Sequence, residues 1–141
     1  MIIATLLTIA GLIYVVLGAL HAAYTWLDTR TARRIVPDDP AVITAMQASK
    51  IRITRGESTV WQGWLGFNLS HGLGAMMFAA ACFIVAACFR IFAFSPWALF
   101  ALAAVSSLYL LMAVQYWFRI PIVGTAVATG CLTAAWLFYL L

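Results

Sequence analysis

The chain has 141 residues, 66% of them hydrophobic and 9% charged, with eight Lys and Arg against four Asp and Glu for a formal net charge of +4. A soluble domain is about 45–50% apolar and about 25% charged, and a chain this short cannot hide the excess, because a small globule keeps most of its perimeter wet. Composition and a mean hydropathy of +1.05 exclude a soluble globule, a disordered chain and a disulfide-framed secreted domain, and leave a polytopic membrane protein.

A hydrocarbon core about 30 Å thick needs roughly 20 apolar residues in a helix rising 1.5 Å per residue. The first such run, residues 2–27, carries no charge. Met1 leads straight into it without a basic n-region or a small-residue cleavage site, so it reads as a retained span rather than a removed signal peptide. Residues 28–60 follow as the only polar segment. The first helix is expected to run on past the membrane through Arg34, until Pro37-Asp38-Asp39-Pro40 breaks it. Asp39 is placed to cap a new helix with Pro40 at its first position, and Ala41 to Ser49 suit one or two amphipathic turns. Lys50-Ile51-Arg52-Ile53-Thr54-Arg55 alternates basic and apolar residues. That pattern is expected of a segment lying on an anionic membrane surface, where each basic residue contributes about 1 kcal/mol. Nucleic acid is not an expected partner, because nothing in the segment resembles a reading module.

The second span covers residues 61–89, the third 96–118 and the fourth 121–141. Ser95-Pro96 opens the third and Arg119-Ile120-Pro121 the fourth, and proline at a first helical position gives up no needed hydrogen bond. All four runs are continuously apolar rather than alternating, which excludes a β-barrel. The expected fold class is therefore all-α: an antiparallel four-transmembrane-helix bundle forming a single membrane domain, residues 1–141.

Six of the eight basic residues (Arg30, Arg33, Arg34, Lys50, Arg52 and Arg55) lie in the first loop, Arg119 falls on the same side, and only Arg90 sits opposite. The positive-inside rule then puts residues 28–60 in the cytoplasm and both termini outside. Trp26, Trp61, Trp97, Trp117 and Trp136 fall near the expected interfaces, where indoles anchor helices at headgroup level. Cys82, Cys88 and Cys131 form no C-x-x-C, so a quinone-linked disulfide oxidoreductase, which needs a close redox pair, is disfavoured, and packing roles suit them best.

Polar residues inside a membrane are costly and therefore mark candidate functional sites. On the first helix Tyr14, Gly18, His21, Thr25 and Asp28 recur at steps of four, three, four and three and share a face. On the second, Trp61, Trp64, Asn68, His71 and Ala75 do the same. Counted from the loop end, His21 lies about 9 Å deep and His71 about 15 Å, so the two imidazoles occupy one leaflet and can face each other. Gln115 on the third helix, with Thr125 and Thr129 on the fourth, adds polar groups to the same layer. Gly63, Gly66 and Gly74 are candidates for admitting a neighbouring helix or a bulky ligand, as small residues do in membranes. The expected pocket is lined by His21, Asn68, Ser70, His71 and Gln115, with Tyr14 and Trp64 as walls.

Trp61 followed by Gly66, Phe67, Asn68, Ser70 and His71 resembles the W-x-x-x-x-G-F-N-x-S-H block of an uncharacterised family of small four-helix bacterial inner-membrane proteins. The resemblance extends to the four-helix layout, and implies that location and no particular activity. The overall plan is also similar to the membrane-bound glutathione- and eicosanoid-metabolising family, with its four helices, outside termini and long cytoplasmic first loop. In that family the second helix carries an Arg and an N-x-x-E, whereas here Asn68 is followed three residues later by His71.

These observations lead to a structural or accessory inner-membrane subunit with a polar pocket near the cytoplasmic leaflet. A binder of a lipid-like or amphipathic small molecule, or a membrane enzyme, are the alternatives. In the structural reading the polar residues hydrogen-bond between helices, and Ala126-x-x-x-Gly130-x-x-x-Ala134 forms a packing or oligomer face. Membrane lipids are expected partners, together with further copies of the chain or a larger membrane complex. No catalytic residue and no metal site is assigned, and no cofactor is expected, haem b held by His21 and His71 being the alternative. Proton-coupled export fits worst, since no Asp or Glu lies within the expected spans.

Overall fold

A computed structural model describes residues 1–89 and 95–141; Arg90, the one basic residue expected opposite the loop, lies outside them. The chain is all-α, with α1 (Ile2–Asp28), a short α2 (Pro40–Ala48), a single 3-10 turn (Arg52–Thr54), α3 (Val60–Cys88), α4 (Pro96–Tyr116) and α5 (Arg119–Leu140). Helices α1, α3, α4 and α5 are each long and apolar enough to cross a membrane, and they form the antiparallel four-transmembrane-helix bundle that the sequence predicts. Their bounds follow local chemistry. The Ser95 hydroxyl accepts from the Trp97 N–H and Pro96 stands at the first position of α4. Helix α5 starts at Arg119, two residues before the proline expected to open it. Pro121 still sits in the first turn, where a missing N–H leaves no intrahelical bond unmade.

The described chain groups into two compact units, which divide α1 and α3 between them: residues 1–17 with 75–141, and residues 18–74. The first unit is built on a heptad-like pattern. Leu7, Ala10 and Tyr14 on α1, Ala75, Ala79, Cys82 and Ala86 on α3, Leu99, Leu102 and Ala103 on α4, and Ala128, Leu132 and Ala135 on α5 make one buried cluster. Steps of three and four put each set on one stripe, and alanine, more than half of the cluster, lets the helices approach closely, which is how packing is gained where lipid tails are as apolar as the protein. Large side chains such as Leu12, Val16, Leu108 and Leu111 face outward instead. The Ala126–Gly130–Ala134 stripe also looks away from the chain's own helices, for a Cβ added at Gly130 meets nothing within 4 Å and Ala126 is exposed.

The second unit is a helical pair closed by an ordered loop. Helix α1 stops at Asp28 rather than running through Arg34. The Asp28 carboxylate, 2% exposed, accepts from the N–H groups of Arg33, Arg34 and Ile35 at 3.1, 3.2 and 2.7 Å. Satisfying three backbone donors at once, it wraps the chain back over the helix end. Helix α2 is capped by Asp39, whose carboxylate accepts from the Ala41 N–H at 2.8 Å, with Pro40 at the first position, as the sequence predicts.

Candidate functional site

Helices α1 and α3 meet in the second unit through Gly72. A Cβ built there would fall 2.9 Å from the Gly18 carbonyl oxygen and 3.0 Å from both the backbone nitrogen and the Cβ of Ala22. Only glycine fits that spot. Gly63 and Gly66 play different parts: Gly63 receives the Ile51 side chain, and Gly66 faces open space. The near backbone contact at Gly72 sets His21 of α1 against Asn68 and His71 of α3.

The His21 Nε2 and Asn68 Oδ1 atoms are 3.0 Å apart. Asn68 donates its own Nδ2–H to the Trp64 carbonyl at 2.8 Å, one turn back on α3, which leaves Oδ1 as the acceptor and makes His21 Nε2–H the donor. Asn68 thereby fixes the ring's orientation and its tautomer. The His21 and His71 rings meet edge to face, centroids 5.1 Å apart and planes at 72°. Phe67 stacks on the outer side of His71 at 6.3 Å and 14°. Burial grades across this cluster. Asn68 is 2% exposed, both imidazoles are half-buried, and Phe67 is 65% exposed. Thr25, sealed at 1%, bonds the His21 carbonyl of its own helix at 2.9 Å.

A clasp lies toward the loop. The Trp64 indole N–H donates to the Ile35 carbonyl at 3.1 Å, tying α3 to the segment that Asp28 gathers. The Arg34 guanidinium stands 3.6 Å from the Asp28 carboxylate and 6.0 Å from the centre of the Tyr24 ring.

Of the expected pocket residues, His21, Asn68 and His71 come together, with Trp64 one turn away. Ser70 is exposed on α3 and its hydroxyl donates to the Phe67 carbonyl at 2.9 Å. Tyr14 and Gln115 belong to the first unit. Gln115 is exposed there. Tyr14 is 1% exposed and its hydroxyl lies 2.8 Å from that of Ser106, which lies 2.7 Å from Thr129 Oγ1. Phe78 and Tyr109 pack around the Tyr14 ring at 4.7 and 5.4 Å. This hydroxyl chain across α1, α4 and α5 is a polar feature that the layer-by-layer reading misses. Its signal was the register of Ser106, three and four residues from the core positions Ala103 and Leu102.

No buried side-chain nitrogen or oxygen among the described residues lacks a hydrogen-bond partner. Nor does any group of three His, Cys, Asp or Glu among them gather to hold a metal ion. Two imidazoles, a carboxamide and a flanking aromatic ring can hold a polar head and cover it. No family model, curated protein or solved structure matches the chain.

Proposed function

We propose that this chain is an accessory, non-catalytic protein of the bacterial inner membrane that holds the polar head of an amphipathic small molecule at His21, Asn68 and His71, near the cytoplasmic leaflet. One observation carries the reading: two imidazoles from two membrane-spanning helices stand 5.1 Å apart and both keep part of their surface accessible. Two imidazoles and a carboxamide converging between apolar helices, with aromatic Phe67 beside them, match the few placed polar groups on an apolar wall that small-molecule sites use. Seven residues separate His21 from the end of α1 at Asp28, about 10 Å of helix. A head at that level leaves its tail in the acyl region, beside exposed Phe67 and Leu73.

The bonding of both amide atoms of Asn68 supports a second reading, in which the cluster joins α1 to α3 and nothing more. Such interhelical contacts contribute about 0.6 kcal/mol each and seldom approach 2. Native mass spectrometry of gently extracted protein separates the two. The binding reading expects a co-purifying amphiphile on the wild type that is lost from His21→Ala and His71→Ala, with little change in thermal stability. Equal stability losses with no change in any retained molecule contradict it. A retained glutathione on a trimer would point to an enzyme instead, and Soret absorbance to haem.

A further inference from the structure

The stretch from Lys50 to Arg55 alternates in sequence, yet with the residues up to Val60 it folds as a tight, closed tip rather than a flat strip. Lys50 pairs with Thr59 in an isolated antiparallel bridge. The Ile51 N–H donates to the Ser58 carbonyl and the Val60 N–H to the Ser49 carbonyl, both at 2.9 Å. Arg55 turns the corner in the left-handed region at φ 52°, followed by Gly56 at φ 92°. The Thr54 hydroxyl donates to the Ile51 carbonyl at 2.8 Å and accepts from the Ser58 N–H at 3.2 Å.

This geometry separates two isoleucines that the alternating pattern would treat alike. Ile51 turns inward onto Gly63, where a Cβ would lie 2.6 Å from its Cδ1, so the tip is pinned to the first turn of α3. Ile53 is left 89% exposed. Lys50, Arg52 and Arg55 around it are all exposed. The one ion pair among the described residues is Arg34 with Asp28, so none of these three cations is neutralised, even by Glu57 two residues beyond Arg55. An exposed apolar side chain ringed by cations without acidic partners is complementary to an anionic interface in both its chemistries. Ile53 sits six residues, or at most roughly 22 Å of chain, from Thr59 at the mouth of α3, within reach of the headgroup layer.

We propose that the Arg52–Arg55 tip is an interfacial anchor: Ile53 inserts at the boundary of the acyl region while Lys50, Arg52 and Arg55 bind the phosphates of anionic phospholipids in the adjacent leaflet. Apolar insertion combined with basic contacts is the chemistry by which peripheral segments hold an anionic surface. The site is separate from the histidine cluster and stands or falls without it.

The test uses full-length protein in nanodiscs of phosphatidylcholine with rising fractions of phosphatidylglycerol. An environment-sensitive fluorophore is carried at Ile53→Cys, with Cys82, Cys88 and Cys131 replaced by alanine. The expected result is a blue shift and quenching by shallow lipid-borne bromine that grow with phosphatidylglycerol. A second, label-free measurement counts phosphatidylglycerol retained on the otherwise unaltered chain by native mass spectrometry. Arg52→Gln and Arg55→Gln should each lower that occupancy about fivefold, the equivalent of one basic residue at an anionic surface. A label that stays in water in every composition overturns the proposal. So does a shift indifferent to phosphatidylglycerol, or one seen only when an acidic polypeptide or RNA is added.

Discussion

In the first unit the hydroxyls of Tyr14, Ser106 and Thr129 bond one another across three helices, with Tyr14 at 1% and Ser106 at 0% exposure. In the second, His21 and His71 bond or touch protein neighbours yet remain partly open. Both sets sit on helices that cross the membrane, and both use side chains at heptad-like spacing. The contrast lies in what surrounds them. Alanine-rich stripes from four helices close over the hydroxyl chain, whereas the imidazoles lie on a helix pair that meets closely at Gly72. The hydroxyl chain is sealed among protein atoms, whereas the imidazoles keep part of their surface accessible.

Three substitutions break this contrast, in descending order of effect. Gly72→Val forces a side chain against the Gly18 carbonyl oxygen and Ala22 backbone, atoms that cannot rotate away. It should destabilise by about 3 kcal/mol, the upper range for overpacking, and separate the two histidines. Thermal unfolding, with a disulfide-trapping assay between cysteines placed at 21 and 71, reads both effects. Asp28→Ala removes the acceptor for three backbone N–H groups and should cost about 2 kcal/mol, as charge-assisted bonds do. Hydrogen exchange should then quicken at residues 33–35, with that at Ser106 unchanged. Ser106→Ala cuts the hydroxyl chain at its middle and should cost about 1 kcal/mol, given the modest strength of hydrogen bonds between membrane helices, without altering any molecule retained by the second unit. A loss of that molecule in Ser106→Ala would erase the distinction drawn between the two units.

The sequence makes the fold legible because span length and apolar continuity are set by bilayer thickness, and Ser95, Asp39 and the prolines mark helix ends by the groups they satisfy. The facing of His21 and His71 is also legible, since steps of three and four fix a helix face. Other features depend on tertiary contact. The end of α1 at Asp28 needs a carboxylate to reach forward to backbone five to seven residues ahead, which no helical pattern encodes. Gly72 is one glycine among several in the same stretch, and only the approach of Gly18 and Ala22 distinguishes it from Gly66, which faces open space. Gln115 shares the expected layer with the histidines, but depth along a helix says nothing about azimuth, while Tyr14 shares the His21 face yet stands seven residues, about 10 Å, away along α1. Tyr14 turns into the alanine-lined core, and Gln115 turns out of it.

The chain has two histidines, so selective isotope labelling of histidine reports on the candidate site with no other ring in the spectrum. Solid-state nuclear magnetic resonance of such protein, extracted and reconstituted with its co-purifying molecules, reads what lies next to each imidazole. The account predicts through-space contacts from both rings to protons of a non-protein polar head, and their loss after exhaustive delipidation. Contacts confined to protein and acyl-chain methylene protons would contradict it.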